Sequence, residues 1–203
     1  MAVFMFWNTA GKHLYEQIAR ICHDYEVDIA IFAESDLDSL SLLSSLNANT
    51  RQTYIKIPQV TNAIDYYTRF PSEWFEPRYD DDHISIKQIR IPIAEPLLLV
   101  AAHLPSKLFA SDNDQIFHAQ NLSRTILAEE EIAGHRRTLV IGDFNMDPYS
   151  VGMTIANGLH SIMDRSIANN IARVVQKQRY EMFYNPMWSR LGDASEGPPG
   201  TYF

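Results

Sequence analysis

Short apolar runs that end in a polar residue recur along this chain of 203 residues. The first run covers residues 2–7 and ends at Asn8, and the second covers residues 27–33 and ends at Glu34. Between the two runs, apolar positions repeat with helical spacing over residues 12–25. Parallel strands joined by a helix end at the same edge of a sheet, so we expect Asn8 and Glu34 to lie near each other.

The same pattern returns in the second half of the chain. The apolar run 97–102 ends at His103, and a helix is predicted over residues 112–134. The apolar run 139–141 then predicts a central strand buried on both faces, which leads through Gly142 into Asp143 and Asn145. In extended chain, Asp143 and Asn145 point to the same side. This stretch is either a strand with an Asx-type turn or a strand end that carries catalytic groups.

The region between these two halves predicts antiparallel strands. Residues 51–70 alternate partly, with a turn near Thr61 and Asn62, and residues 84–91 alternate as a half-exposed strand. The other predicted elements are a short helix over residues 36–46 and an acidic, aromatic loop over residues 72–82. The aromatic residues of this loop either cap a core edge or stack on bases. They are Trp74, Phe75 and Tyr79.

Each polar residue has an ordinary explanation when it is considered alone. Glu34 is either solvated at its strand end or a ligand for a hard cation, and Arg69 is either a surface cation or a partner of phosphate. A lone His103 is usually structural, but a histidine beside carboxylates at strand ends is a candidate for catalysis. Oxygen ligands of this kind suit Mg²⁺ or Mn²⁺.

Composition restricts the classes of function. Hydrophobic residues make up 46% of the chain, which is typical of a globular protein, and we expect one domain over residues 1–203. The net charge is -8, so nucleic acid binding requires a local basic patch or bound cations. One cysteine, no secretory signal and no run long enough to span a bilayer predict a cytoplasmic protein.

Five motifs resemble the endonuclease/exonuclease/phosphatase superfamily in their order and in their placement at strand ends. They are Trp7-Asn8, Glu34, Thr68-Arg69-Phe70-Pro71, His103-Leu104 and Gly142-Asp143-Phe144-Asn145. This resemblance implies an α/β (α+β) protein with the DNase I-like fold, a four-layer αββα sandwich of two mixed sheets flanked by helices. It also implies metal-dependent cleavage of a phosphate ester.

The resemblance also implies a role for each matched residue. Asn8 and Glu34 position the Mg²⁺ or Mn²⁺ ion, and Glu34 is its direct ligand. Asp143 orients or deprotonates the attacking water, and His103 forms a hydrogen bond near the phosphate. The residues expected to bind the substrate phosphate are Asn145 and Arg69.

The chain departs from the family pattern at its C-terminal end. Members of the superfamily normally finish with a further strand and an Asp-His pair, whereas this sequence stops at Phe203. We therefore expect a C-terminally short domain without its last strands. An exposed sheet edge of this kind favours a homodimer or a partner protein. His118 and His160 are alternatives for the absent histidine, and no pattern favours either of them.

Three functions remain open at this stage. The leading hypothesis is a metal-dependent nuclease that acts on DNA or RNA as a phosphodiesterase. The acidic charge slightly favours a second one, a phosphatase or phospholipase acting on a small or lipid substrate. The absent Asp-His pair favours the third, a catalytically weak metal-binding subunit of a complex. Both enzyme hypotheses require Glu34 and Asp143 to lie close together.

Overall fold

The computed structural model describes residues 2–48, 53–61, 63–108 and 111–190. They form two compact units. The first comprises the described parts of Met1–Pro105 and Ala128–Phe144, and the second those of Ser106–Leu127 and Asn145–Phe203. The single domain predicted over residues 1–203 stays a prediction, because two compact units can belong to one domain.

The first sheet of the first unit has four strands in the order β1-β2-β4-β3. β1 and β2 are parallel, and the other neighbours are antiparallel. The elements of this region are β1 (Phe4–Asn8), α1 (Tyr15–Asp24), β2 (Ile29–Ala33), α2 (Ser39–Leu46), β3 (Ile55–Lys56) and β4 (Ile64–Thr68). The predicted strand–helix–strand opening is therefore confirmed. Asn62, which belongs to the predicted turn, lies outside the described residues.

The second sheet has the order β5-β6-β7-β8. β7 and β8 are parallel and the remaining neighbours are antiparallel. The elements are β5 (Phe75–Asp80), β6 (Ile84–Ile89), β7 (Leu97–His103), α3 (Asp112–Ala133) and β8 (Thr138–Asp143), and a 3₁₀ turn at Ser72–Trp74 precedes β5. α3 is the connection that a parallel pair of strands requires.

The second unit contains the first part of α3 and short elements. β9 pairs with β12 in parallel, and β10 pairs with β11 in antiparallel fashion. The elements are α4 (Val151–Thr154), β9 (Ser161–Ile162), α5 (Arg165–Ala168), β10 (Ala172–Val175), β11 (Gln178–Glu181), β12 (Phe183–Tyr184) and a 3₁₀ turn at Pro186–Arg190. None of the helices in the described ranges is long and apolar enough to cross a membrane.

Alternation along the strands produces two apolar layers in the first unit. Ile29 and Ile31 of β2 face the second sheet, where they pack with Leu99 of β7. The alternate residues Ala30 and Phe32 pack against α1 and α2 on the outer face. All five residues of β2 are buried, and a fully buried Ile or Phe side chain contributes about 1.5–3 kcal/mol. The two packed sheets expected from the sequence are thus confirmed.

The last turns of α3 belong to the first unit and are tied to the second sheet by polar contacts. Arg78 Nε of β5 donates to Glu129 Oε2 over 3.0 Å, and Thr138 Oγ1 of β8 donates to Glu130 Oε1 over 2.6 Å. The side chains of Arg78 and Glu129 are 15% and 12% exposed, so this ion pair is largely shielded from water. These contacts place the end of the helix against the sheet.

Three sequence predictions about the second sheet were wrong. The predicted loop 72–82 contains β5, whose register shifts between Pro77 and Tyr79 because proline cannot donate to the ladder. The strand predicted as half-exposed is buried throughout β6, since Lys87 points into the protein. β8 is the last strand of its sheet within the described residues, and it is partly exposed rather than central.

Lys87 lies in the core of the second sheet. Lys87 is 0% exposed. Its Nζ atom lies 3.7 Å from Asp80 Oδ2 and 4.9 Å from the centroid of the Tyr66 ring. Burial lowers the pKa of Lys87, because the charged form loses its hydration. Asp80 also accepts a hydrogen bond from Ser85. The carboxylate and the ring partly compensate the cost of a buried cation.

Candidate active site

Four polar side chains from four strands meet at one end of the two sheets. Asn8 Nδ2 donates to Glu34 Oε1 and to Asp143 Oδ2, each over 3.0 Å. His103 Nε2 lies 3.0 Å from Glu34 Oε1. In the first sheet Asn8 is the last residue of β1 and Glu34 directly follows β2, whereas His103 and Asp143 are the last residues of β7 and β8 in the second sheet. The group, which we call the strand-end cluster, therefore bridges the two sheets.

Parallel pairing explains why each sheet delivers two of these residues to the same place. Asn8 is in register with Ala33, the residue before Glu34, and His103 is in register with Asp143. Leu104 N also donates to Asp143 O over 2.9 Å, which extends the ladder past the strand end. The requirement that Glu34 and Asp143 lie close together is met, because both accept hydrogen bonds from Asn8 Nδ2.

Gly142 allows the close approach of β8 to β7. A Cβ atom at this position would lie 2.0 Å from the carbonyl oxygen of Ala102, the residue with which Gly142 is in register. That separation is far below a van der Waals contact, so a side chain there would force the strands apart. The glycine therefore supports the pairing of His103 with Asp143.

The backbone of Glu34 is held in an unusual conformation. Its φ is +46°, in the left-handed region that L residues rarely adopt. Its carbonyl oxygen accepts hydrogen bonds from Thr9 Oγ1 over 3.0 Å and from Gly11 N over 2.9 Å. Thr9 is 1% exposed, and sequence reasoning missed it. The available signal was a hydroxyl residue directly after a strand end, where such side chains commonly bond to nearby backbone.

The donor set of the strand-end cluster fits a hard divalent cation. Glu34 and Asp143 are two carboxylates that accept hydrogen bonds from the same neutral amide nitrogen of Asn8, a position between them that a cation can take. The side chain of Glu34 is 48% exposed, so a cation in solution can reach it. The described residues contain no group of three or more His, Cys, Asp or Glu side chains arranged as a complete metal site. The remaining ligands would have to be water, amide oxygen or substrate oxygen.

The structure does not bring Arg69 to the strand-end cluster. β4 runs antiparallel to β2 with Thr68 opposite Ile29, so Arg69 lies at the end of β2 that is remote from Glu34. Its Nη2 atom donates to Asp28 Oδ1 and to Glu26 O, each over 2.7 Å. The expectation that Arg69 faces the substrate phosphate is thus contradicted by the direction of β4.

Asn145 belongs to the second unit. Its backbone has a φ of +51°, a conformation that asparagine tolerates in Asx turns, and its carbonyl oxygen accepts a hydrogen bond from Gln115 Nε2 over 2.7 Å. The role of Asn145 in binding phosphate stays a prediction. His160 is buried in the same unit, with Nδ1 2.9 Å from Glu181 O, and the ring of His118 meets that of Phe117 edge-on.

The loop aromatics show contacts typical of a core edge. Phe75 is 5% exposed and packs between the sheets, and the Trp74 ring lies 5.4 Å from that of Phe70. Tyr79 donates its hydroxyl to Asp81 Oδ2 over 2.7 Å. These contacts favour the capping interpretation over base stacking for all three side chains.

Comparisons with known proteins show the fold. No protein-family model matches the sequence, and no curated protein matches it. Among solved structures, the beta-hairpin deletion mutant of beta toxin from Staphylococcus aureus aligns with a TM-score of 0.50 and 12% identity over 73% of this chain and 69% of that chain. TDP2 from C. elegans aligns with a TM-score of 0.50 and 18% identity.

The alignment with the C. elegans protein covers 73% of this chain but 49% of that chain. An endonuclease/exonuclease/phosphatase family protein from Leptotrichia buccalis aligns with a TM-score of 0.47 and 12% identity over 72% of this chain and 67% of that chain. At these identities the likeness concerns the fold. Two packed mixed sheets with helices outside, shared with the beta toxin mutant and the C. elegans protein, identify the chain as a protein of the DNase I-like fold.

Proposed function

We propose that this protein is a divalent-metal-dependent phosphodiester hydrolase, and that it acts as a nuclease on DNA or RNA. The observation that carries the proposal is the strand-end cluster, in which Asn8, Glu34, His103 and Asp143 meet through three contacts of 3.0 Å. The DNase I-like fold supports it as an analogy.

Glu34 is the proposed direct ligand of Mg²⁺ or Mn²⁺, and Asn8 positions this ligand. A bound cation neutralises phosphate charge and stabilises the leaving oxygen. The hydrogen bonds that Thr9 and Gly11 donate to the Glu34 carbonyl hold this residue in place before substrate arrives. Such preorganisation accounts for much of the catalysis of phosphoryl transfer.

Asp143 is the proposed base, which orients the attacking water and accepts its proton. His103, whose side chain is 21% exposed, is the proposed donor of a hydrogen bond to a phosphate oxygen. Asn145, two residues beyond Asp143, is the proposed ligand of the scissile phosphate. General acid–base groups of this kind typically contribute 10²–10⁴-fold to rate.

A phosphatase or phospholipase is the second candidate, because the net charge of -8 disfavours a polyanionic substrate relative to a small one. The partner protein or second copy expected at a sheet edge stays a prediction, to be tested by light scattering during gel filtration. The cytoplasmic location is likewise a prediction.

The test is hydrolysis by the full chain of plasmid, linear and single-stranded DNA, RNA and bis(p-nitrophenyl) phosphate. Each substrate is incubated with Mg²⁺, with Mn²⁺ and with EDTA. The variants are Asp143→Ala and Glu34→Gln, and Arg69→Gln is the control because its side chain lies at the other end of β2. Binding of Mn²⁺ is measured separately by electron paramagnetic resonance.

We expect metal-dependent cleavage of nucleic acid that falls by about 10²–10⁴-fold in Asp143→Ala and persists in Arg69→Gln. Cleavage of the small ester alone would favour the phosphatase or phospholipase. Binding of Mn²⁺ without hydrolysis of any substrate would refute the enzyme hypothesis and favour a catalytically weak metal-binding subunit of a complex. Equal cleavage in EDTA would refute metal dependence.

A further inference from the structure

The second unit carries a basic segment in an otherwise acidic chain. Residues 165–190 contain five Lys and Arg residues and one carboxylate, Glu181, whereas the whole chain has a net charge of -8. All five cationic residues are exposed. They are Arg165, Arg173, Lys177, Arg179 and Arg190. This is the kind of local basic patch that an acidic protein needs if it is to bind nucleic acid.

Three of these cations lie on one hairpin. β10 and β11 pair with each other, and among the described residues neither pairs with another strand. Gln176 and Lys177 have φ values of +50° and +67°, the pattern of a two-residue type I′ turn, so Lys177 stands at the tip. Arg173 is in register with Tyr180, and Arg179 with Val174, which puts the two arginines on opposite faces.

The cations of the hairpin are available to an external anion. Arg173 and Lys177 form no ion pair with any carboxylate in the described part of the chain. Arg179 Nε lies 3.5 Å from Glu181 Oε1, and the arginine side chain remains 66% exposed. An exposed ion pair of this kind is worth at most about 1 kcal/mol, so it does not prevent Arg179 from meeting a phosphate.

Two of the arginines have a tyrosine as a neighbour. Arg173 and Tyr180 are directly opposite each other, a placement in which the two side chains meet on one face of the ladder. Next to the hairpin, the guanidinium of Arg165 lies 5.0 Å from the centroid of the Tyr184 ring, and Tyr184 is 38% exposed. Cations that track phosphates, beside aromatic rings that stack on bases, are the combination used by proteins that bind single-stranded nucleic acid.

We propose that the β10–β11 hairpin and the adjoining Arg165–Tyr184 pair bind single-stranded nucleic acid. Arg173, Lys177 and Arg179 contact its phosphates, and the tyrosines stack on unpaired bases. This inference rests on the proposed nuclease function insofar as it names the substrate form. The cations occupy both faces and the tip of the hairpin, which suits a flexible strand that can pass around it. A flat anionic membrane would meet only one face.

Binding is measured with the full chain in EDTA, so that hydrolysis does not consume the probe. The probe is a fluorescein-labelled oligodeoxythymidine, and its anisotropy is followed as NaCl is raised. The test variant is Arg173→Gln/Lys177→Gln/Arg179→Gln. The control variant Lys12→Gln/Arg20→Gln/Arg124→Gln removes the same charge from exposed positions elsewhere. A matched duplex and phosphatidylserine vesicles serve as competing ligands.

For a single strand, each lost phosphate contact reduces the magnitude of the slope of log K against log salt concentration by about 0.7, where K is the observed binding constant. The test variant removes three such contacts, so the magnitude of its slope should be smaller by about 2. At about 0.1 M salt this corresponds to binding on the order of a hundredfold weaker, whereas the control variant changes it only a few-fold. Tyr184→Leu is expected to weaken binding of the single strand more than binding of the duplex.

Equal losses in the test and control variants would overturn the proposal, because binding would then follow net charge alone. Vesicle binding that depends on the hairpin, without strand binding, would overturn it in favour of a lipid surface. Hydrolysis of bis(p-nitrophenyl) phosphate in the presence of metal separates this result from the proposed function. The hairpin variant should retain that hydrolysis, and loss of strand binding with retained hydrolysis leaves the catalytic proposal intact.

Discussion

Substitution of Gly142 by alanine tests how strongly the geometry of the strand-end cluster depends on one close backbone approach. The new Cβ atom would lie 2.0 Å from Ala102 O, and essentially no Cβ atom approaches closer than 3.0 Å. β8 must therefore move away from β7 by about 1 Å. The neighbouring bond from Leu104 N to Asp143 O is 2.9 Å long, and a shift of that size stretches it beyond hydrogen-bond range.

The expected cost of Gly142→Ala is about 3 kcal/mol. Overpacking contributes about 1–3 kcal/mol, and each weakened backbone hydrogen bond about 1 kcal/mol. Urea unfolding followed by circular dichroism measures this loss directly, and the thermal midpoint should fall by roughly 6–12 °C for a chain of this size. Turnover should fall as well, because His103 and Asp143 lose their register.

Gly134→Ala is the matched control. Gly134 has a φ of +70°, but a Cβ atom there would have no atom within 4 Å among the described neighbours. The expected cost of this substitution is only that of an L residue in the left-handed conformation, about 1–2 kcal/mol of stability, and turnover should be unchanged. If Gly142→Ala costs no more than Gly134→Ala, the close approach of β8 to Ala102 O does not constrain the pairing of the two strands.

Three further substitutions test other parts of the structure. Thr9→Val removes the hydrogen bond to the Glu34 carbonyl, and we expect about 1 kcal/mol less stability and a loss of turnover that Thr9→Ser does not show. Arg69→Gln should lower the free energy of unfolding by about 1–3 kcal/mol at unchanged kcat; a fall in kcat would restore it as a site residue. Lys87→Met strands the Asp80 carboxylate and should cost about 3–5 kcal/mol in urea unfolding, most of it recovered by adding Asp80→Asn. Burial lowers the pKa of Lys87 in the folded protein. At pH values between this lowered pKa and the ordinary pKa of lysine, the unfolded chain therefore binds more protons than the folded protein. Across that pH range, the stability of the wild type relative to Lys87→Met should rise with pH.

The members of the strand-end cluster could be predicted from the sequence because each of them follows a run of apolar residues. Such a run marks a buried strand, and a polar residue at its end marks the rim of the sheet. Helical spacing between two runs predicts a parallel pair, which is confirmed for β1 with β2 and for β7 with β8. That inference placed Asn8 beside Glu34 and His103 beside Asp143, each within its own sheet.

Contacts between the sheets could not be predicted from the same patterns. The distance of 3.0 Å from His103 to Glu34 depends on how the two sheets pack face to face, and no local periodicity encodes that arrangement. Arg69 was misplaced for a different reason, which lies within one sheet. The periodicity of β4 does not encode which strand it pairs with, and its antiparallel pairing with β2 puts Arg69 at the end of β2 remote from Glu34. Lys87 led to the wrong prediction of a half-exposed strand, because a charged residue in an alternating run normally faces water. Here the side chain is buried, and its counter-charge, Asp80, comes from the neighbouring strand.

The division of the strand-end cluster between two sheets has a consequence for the order in which competence arises during synthesis. All strands of the first sheet, through Thr68, are synthesised before any strand of the second sheet. β8 is the last strand of the two sheets to be synthesised. A nascent chain that ends before residue 138 holds Asn8, Glu34 and His103 but has no Asp143. The proposed base thus joins its partners last, so under the proposed function a partly made chain would lack turnover.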